Sequence, residues 1–300
     1  MATVFKAYLQ LCRPANLPTA AADVLAGLAI SGLFGSLAYF EFPNFLNSNL
    51  LLLVFASVFL YAGGVVLNDV YDFELDKKER PERPIPSGRV AYKNAMVFGY
   101  TLLFIGIICA FLVKLECGIV AMALATAILS YDKVAKHHSF LGPLNMGICR
   151  GLNLFMGILY VNQLDNWLYA LIPVVFIFAV TLISRGEVHG KNKLNIVFAG
   201  LLYTLVITAV IVLNYFFGLN GGISYLFFIV LFALMVFLPL IRAYVKNTPQ
   251  NIKKSVKAGV LSIVLLDAAM AVGFTSIAYG IAILLLLPLS ILLAKKFAVT

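Results

Sequence analysis

Apolar residues along this chain gather into long unbroken runs, and polar residues are confined to short intervals between them. Runs of that kind suit helices surrounded by other helices and lipid, because a hydrocarbon core is crossed by about 20 apolar helical residues. Ten can be marked, at about 17–38, 49–68, 91–113, 116–131, 141–161, 167–184, 194–216, 222–244, 256–274 and 276–294. The fourth is short, and a tight turn near Gly273 to Ser276 separates the last two. The pattern predicts an all-α, polytopic transmembrane bundle, read as one domain over residues 1–300.

Composition agrees with lipid as the solvent. Hydrophobic residues make up 62% and charged residues 12%, with a mean hydropathy of +1.00. A soluble domain carries roughly a quarter charged residues. The first run follows Lys6 and Arg13 but has no small-residue cleavage site after it, so it reads as a first helix rather than a signal peptide. The net charge of +9 is not a nucleic-acid stripe, because its residues lie in the intervals between runs. Intervals after even-numbered runs hold Lys77, Lys78, Arg80, Arg83, Arg89 and Lys93, then Lys133 and Lys136, then Arg185, Lys191 and Lys193, then Lys246, Lys253, Lys254 and Lys257. The tails add Lys6, Arg13, Lys295 and Lys296, whereas intervals after odd-numbered runs hold Lys114 among Glu41, Glu116 and Asp165. This bias places both termini and the even-numbered loops in the cytoplasm, which requires an even number of spans.

Cys12, Cys109, Cys117 and Cys149 share no CxxC spacing and read as buried apolar side chains. The chemistry concentrates in one segment, from Asn68-Asp69-Val70-Tyr71-Asp72 through Asp76 to Arg83-Pro84-Ile85-Pro86-Ser87-Gly88. Asn68, Asp72 and Asp76 are spaced four apart, so a continuing helix puts them on one face, with Asp69 beside it. Crowded carboxylates near lipid need a cation, and a hard-oxygen set suits Mg2+ bound together with substrate phosphates. Arg80 and Arg83 follow between prolines that end the helix, and guanidinium forks match phosphate oxygens. Together these residues describe a site for a lipid diphosphate beside an apolar cavity. A solvated basic loop obeying the charge bias is the plainer reading of the same residues.

The segment resembles the first aspartate-rich motif of the UbiA superfamily of intramembrane prenyltransferases, N-D-x-x-D-x-x-x-D followed by R-P-x-R-P-x-x-x-G. Asn68, Asp69, Asp72, Asp76, Arg83, Pro84 and Gly88 carry the match. Arg13-Pro14-Ala15-Asn16-Leu17-Pro18 and the segment from Tyr131 through Lys133 to Lys136 add to it. The resemblance implies nine family helices around a central cavity, with one extra at the C-terminus. It also implies Mg2+-dependent transfer of a prenyl group from a polyprenyl diphosphate to a small, aromatic acceptor. By the same resemblance Asn68, Asp72, Asp76 and Glu187 are metal ligands, and Asp72, Asp76, Glu187 and Lys191 are catalytic. It also implies that Asn16, Asn68, Asp69, Arg80, Arg83, Tyr131, Lys133 and Lys136 bind substrate, to which Asn153 is added as the neighbour of Arg150 three residues on.

The second family motif, D-x-x-x-D, aligns with Glu187 and Lys191, so an ammonium replaces its second carboxylate. Lys191 cannot ligate Mg2+ while protonated, but it can contact diphosphate directly. The alternative is a non-catalytic lipid-diphosphate binder in a metabolite biosynthesis or export system. Ser184-Arg185-Gly186-Glu187-Val188-His189-Gly190 and Gly142 to Asn153 are similar to the EboC-type branch of the superfamily. Arg150 falls near the middle of the fifth run, where a charge must face a cavity or a buried acid. It is read as catalytic and cavity-lining, with pairing to Asp23 or Asp267 as the other possibility.

The charge bias predicts a labelling pattern in a cysteine-free background. Lys78→Cys should react with a membrane-impermeant maleimide only after lysis, and Glu116→Cys in intact cells; the reverse pattern would overturn the orientation.

Overall fold

A backbone in lipid must satisfy its own N–H and C=O groups, and each apolar run does so as an α-helix. The computed structural model describes residues 2–34, 48–161, 164–187, 190, 192–219 and 222–297. A short N-terminal helix, α1 (Ala2–Leu11), leads into α2 (Leu17–Ile30), α3 (Ser48–Tyr71) and the short α4 (Phe73–Glu79). Then come α5 (Tyr92–Val113), α6 (Leu115–Lys133), α7 (Leu141–Ile158), α8 (Leu171–Ser184) and α9 (Lys193–Phe217). The chain continues through α10 (Tyr225–Val245), α11 (Pro249–Val272), α12 (Ile277–Leu284) and α13 (Leu286–Lys296).

Nine stretches among the described residues are long and apolar enough to cross a membrane. They match the second to tenth runs. The last is α12 and α13 together; Pro288 has no N–H to offer Leu284 and its ring crowds that carbonyl, which accounts for the break at Leu285. The first run appears as α2, 14 residues long, and the end of that run lies outside the described residues.

The helices form a closed ring, with α2, α3, α5, α6, α7, α8, α9, α10 and α11 each packed on the next and α11 returning to α2. Across this ring α2 also packs directly against α7. Every residue of α2 except Leu17 and Leu25 is buried. Ala22, Ala26 and Ala29 join a core shared with α8 to α12, while Val24 and Leu28 join another shared with α3, α5 and α6. From α7, Leu154 and Ile158 enter the first core and Met156 the second. The α2–α7 pair is therefore the spine between two lobes.

Two glycines allow the spine to close. A Cβ on Gly27 would stand 2.3 Å from the Leu154 carbonyl oxygen and 2.8 Å from the Cα of Gly157. One on Gly157 would stand 2.5 Å from the Val24 carbonyl oxygen. Small residues at a helix crossing are how membrane helices gain dispersion contacts, since lipid supplies no hydrophobic drive between them. On the outside, Phe104, Leu112, Leu201, Val230 and Leu234 are exposed, as lipid-facing positions should be.

Gly157→Val should cost about 3 kcal/mol or more through backbone overlap that rotamer changes cannot relieve. Gly200→Ala, whose Cβ meets only Leu240 Cδ2 at 3.5 Å, should be neutral or slightly stabilising. Thermal unfolding in detergent compares the two.

Candidate active site

The helical ladder runs on past the end of α3. Asp72 N–H donates to the Asn68 carbonyl at 2.9 Å, and Asp76 N–H to that of Asp72 at 2.8 Å. Arg80 N–H then donates to Asp76 at 2.8 Å. The four-residue register of Asn68, Asp72 and Asp76 is thus present, yet the three side chains do not converge. Asn68 Nδ2 donates to Asp132 Oδ1 at the end of α6, at 2.8 Å. Asp72 is paired with Lys136. Asp76 takes Arg83 at 2.7 Å, and Arg83 also reaches Asp69 at 3.2 Å.

Asp69 and Asp76 are two turns apart and share a strip of the helix surface, and Arg83 reaches both while Asp72 takes Lys136. Both are buried, at 4% and 3% exposure, and a carboxylate in that position requires a counter-charge. Arg83 is brought back to them by the proline-stiffened loop after α4, which turns at Gly88 with φ +76°. A second guanidinium comes from Arg13, whose Nη2 lies 2.5 Å from Asp69 Oδ1. Among the described non-glycine residues Arg13 alone has positive φ, 47°, a strained conformation that its bond to Asp69 helps hold.

Behind this mouth lies a cavity of about 210 Å³ between α3, α6 and α7. Arg13, Asn68, Tyr131 and Asp132 line it, as do Tyr61, Cys149, Arg150 and Asn153, with Val65, Leu124, Ile128 and Met146 among the apolar residues. Arg150 both faces the cavity and has a buried acid as its partner. Its side chain lines the cavity, and Nη1 pairs with Asp23 Oδ2 at 2.5 Å while Nη2 donates to Thr19 Oγ1 at 2.5 Å. The Tyr61 ring lies 5.4 Å from the guanidinium carbon. Asn153 Nδ2 donates to Asp23 at 2.8 Å, and Asp267 of α11 is buried beside Asp23.

Other expected residues stand apart from the cavity. Asn16 ends a short 3-10 turn, where its carbonyl accepts from Thr19 Oγ1 at 2.7 Å. Lys133 is exposed, with Nζ 6.0 Å from the Tyr71 ring. Arg80 is exposed on its loop and faces Glu187, which follows α8. Burial pushes the Glu187 carboxyl above its usual range, while Lys253 and Arg80 pull it back. Lys191 and His189 lie outside the described residues. Arg13, Tyr61 and Asp132 were not among the expected site residues, although Asp132 sits inside the Tyr131-to-Lys136 segment and Arg13 beside Asn16.

The donor chemistry at the mouth fits Mg2+. Asn68 and Asp72 offer hard oxygens, and the buried Asp132 Oδ2 beside them has no hydrogen-bond partner. Among the described residues no three His, Cys, Asp or Glu side chains form a metal cage. Mg2+ does not need one, since it commonly binds through one or two carboxylates with phosphates and waters completing the octahedron.

A ring of membrane helices around a cavity whose mouth carries this acidic segment is the architecture of an intramembrane prenyltransferase. The chain belongs to the UbiA prenyltransferase family, whose sequence profile matches residues 28–264. It is similar to the digeranylgeranylglyceryl phosphate synthase of Methanococcus maripaludis, 30% identical over 83% of this chain and 93% of that protein. The enzyme of the same name from Saccharolobus solfataricus is 35% identical over 63% of this chain, and the match spans 64% of its length, just under two thirds. Among solved structures, one of a digeranylgeranylglyceryl phosphate synthase superposes with a TM-score of 0.67 at 22% identity, covering 91% of this chain and 99% of that one. A UbiA homologue from Archaeoglobus fulgidus bound to GPP and Mg2+ gives 0.59 at 13% identity, covering 92% and 99%. These structural likenesses establish the fold.

Removing Arg83 should be severe, because two buried carboxylates lose their shared partner. Arg83→Ala should cost about 3–5 kcal/mol. Arg13→Ala should cost less, since Arg13 is 29% exposed and Asp69 keeps Arg83. Unfolding midpoints of the two variants in one detergent check the order.

Proposed function

We propose that this chain transfers a prenyl group from a polyprenyl diphosphate to a small acceptor, with Mg2+ and with the site facing the cytoplasm. The observation that carries the reading is the junction of a polar mouth, Arg13, Asn68 and Asp132, with an apolar cavity running between α3, α6 and α7. The diphosphate sits at the mouth and the prenyl chain beside Val65, Leu124 and Ile128. Asn68 and Asp72 would hold the metal, and Glu187, which follows α8, would be a further ligand. Mg2+, when bound, neutralises charge that develops on the departing diphosphate. Lys136, Arg80 and Lys191 supply further positive charge there. Asp76 and Asp69 act through Arg83 and Arg13, which they position.

In the reaction the C1–O bond of the donor breaks and its electron pair leaves with the diphosphate. The acceptor's nucleophilic atom bonds to C1 and releases a proton. Tyr61 lines the cavity with its ring beside Arg150, and its π system is the candidate to steady an allylic cation. Arg150 and Asn153 form the polar wall against which the acceptor is oriented. Relatives named for digeranylgeranylglyceryl phosphate make a glyceryl phosphate acceptor a candidate beside the aromatic one. Assignment to the EboC-type branch rests on the wording of residues 142–153 and 184–190.

A second reading, binding of a lipid diphosphate without turnover, is favoured by Lys191 at an acidic motif position. Pyrophosphate release from allylic diphosphates, with both acceptor classes and Mg2+, separates the two. Asp72→Ala should lower release by ~100-fold or more, the scale on which loss of transition-state charge stabilisation acts. Release equal to wild type would refute the metal assignment. Tight binding without release under any acceptor would favour the second reading, and a large gain with Lys191→Asp would show that the native site lacks a metal ligand.

A further inference from the structure

One acid at the cavity mouth belongs to neither family motif. Asp132, on the last turn of α6, is 2% exposed and lines the cavity. Its Oδ1 accepts from Asn68, but its buried Oδ2 has no hydrogen-bond partner. An orphaned buried carboxylate oxygen is costly, and a native fold that retains one has a use for it. Packing does not supply that use, since an apolar side chain would fill the place without the penalty.

Local charges do not supply it either. The charged groups facing Asp132 are Lys136, Asp72 and Arg13. Lys136 is paired with Asp72, and Arg13 with Asp69. Among the described residues Asp69, Asp72 and Asp76 are each paired with one or two of Arg13, Arg83 and Lys136, whereas Asp132 is in no ion pair. The acid without an ion pair is the one with the free oxygen, next to Asn68.

We propose that Asp132 is a protein ligand of the Mg2+ that accompanies the donor diphosphate, joining Asn68 and Asp72 from a third position on the bundle. This assignment rests on the proposed function and sharpens it. It also bears on the substitution at Lys191: in sequence the second acidic motif has a lysine for its second carboxylate, and Asp132 supplies a carboxylate from α6. Ligand charge count governs the affinity of an oxygen site for a hard cation, so an added carboxylate restores what the lysine removes.

The test uses the full chain purified in detergent, with Mn2+ as a paramagnetic substitute for Mg2+ and inorganic pyrophosphate present. Free Mn2+ is counted by electron paramagnetic resonance, so the readout does not depend on turnover. Asp132→Asn and Asp132→Ala should each weaken Mn2+ binding by ~10-fold or more, the scale on which loss of a site group lowers metal affinity. Asp132→Glu should recover most of it, and Glu116→Gln, at the other end of α6, should match wild type. If Asp132→Ala fails to fold, Asp132→Asn and Asp132→Glu decide, because both leave an oxygen for Asn68. Wild-type affinity in the folded Asn variant overturns the assignment of Asp132 alone. Absence of Mn2+ binding in the wild type itself overturns the metal-dependent function as well.

Discussion

The pairing of Asp69 and Asp76 with Arg83 and Arg13 is the constraint from which the rest of the site follows. In a bundle surrounded by lipid these acids cannot stay charged without a partner, and removing one partner strands the others. Pairing draws the loop after α4 back onto α3 and pins the chain just before α2 in a strained conformation. Entry to the spine and exit from the motif are thereby tied to one pair of carboxylates. With these two acids occupied, Asn68 remains to face the cavity from the same helix, and Asp72 turns to Lys136.

The spine obeys a complementary rule. Where no charge is available, α2 and α7 are held by close approach, and Gly27 and Gly157 set how close. That approach lets one helix pair serve two cores, and it also brings Asp23 and Thr19 of α2 within reach of Arg150 on α7. A cationic wall for the cavity is thus a consequence of glycine packing further along the same crossing. Fold and site are parts of a single solution for placing polar groups in lipid.

Much of this was legible in the residues themselves. Apolar run length determined the helices, because lipid leaves the backbone no other way to satisfy itself. The four-residue spacing of Asn68, Asp72 and Asp76 determined their register, and a charge in the middle of the fifth run required Arg150 to face a cavity or an acid. The break at Leu285 was not legible in the tenth run, which reads as one span, and Pro239 inside the unbroken α10 shows that a proline alone does not predict one.

Partner choice was left to the tertiary structure. Spacing along one helix says which residues share a face but not what stands opposite, so the expectation of Asp76 as a metal ligand gave no sign of Arg83, which pairs with it. Asp132 escaped notice for the same reason: a single acid at a helix end has no pattern, and only the approach of α6 to α3 sets it against Asn68 with an oxygen to spare. Sequence alone settled the solvent, the helices and the family motif, because hydrophobicity and backbone hydrogen bonding act locally. Which carboxylates are spent on arginines and which remain for a cation depends on distances between helices, and those exist only once the ring has closed.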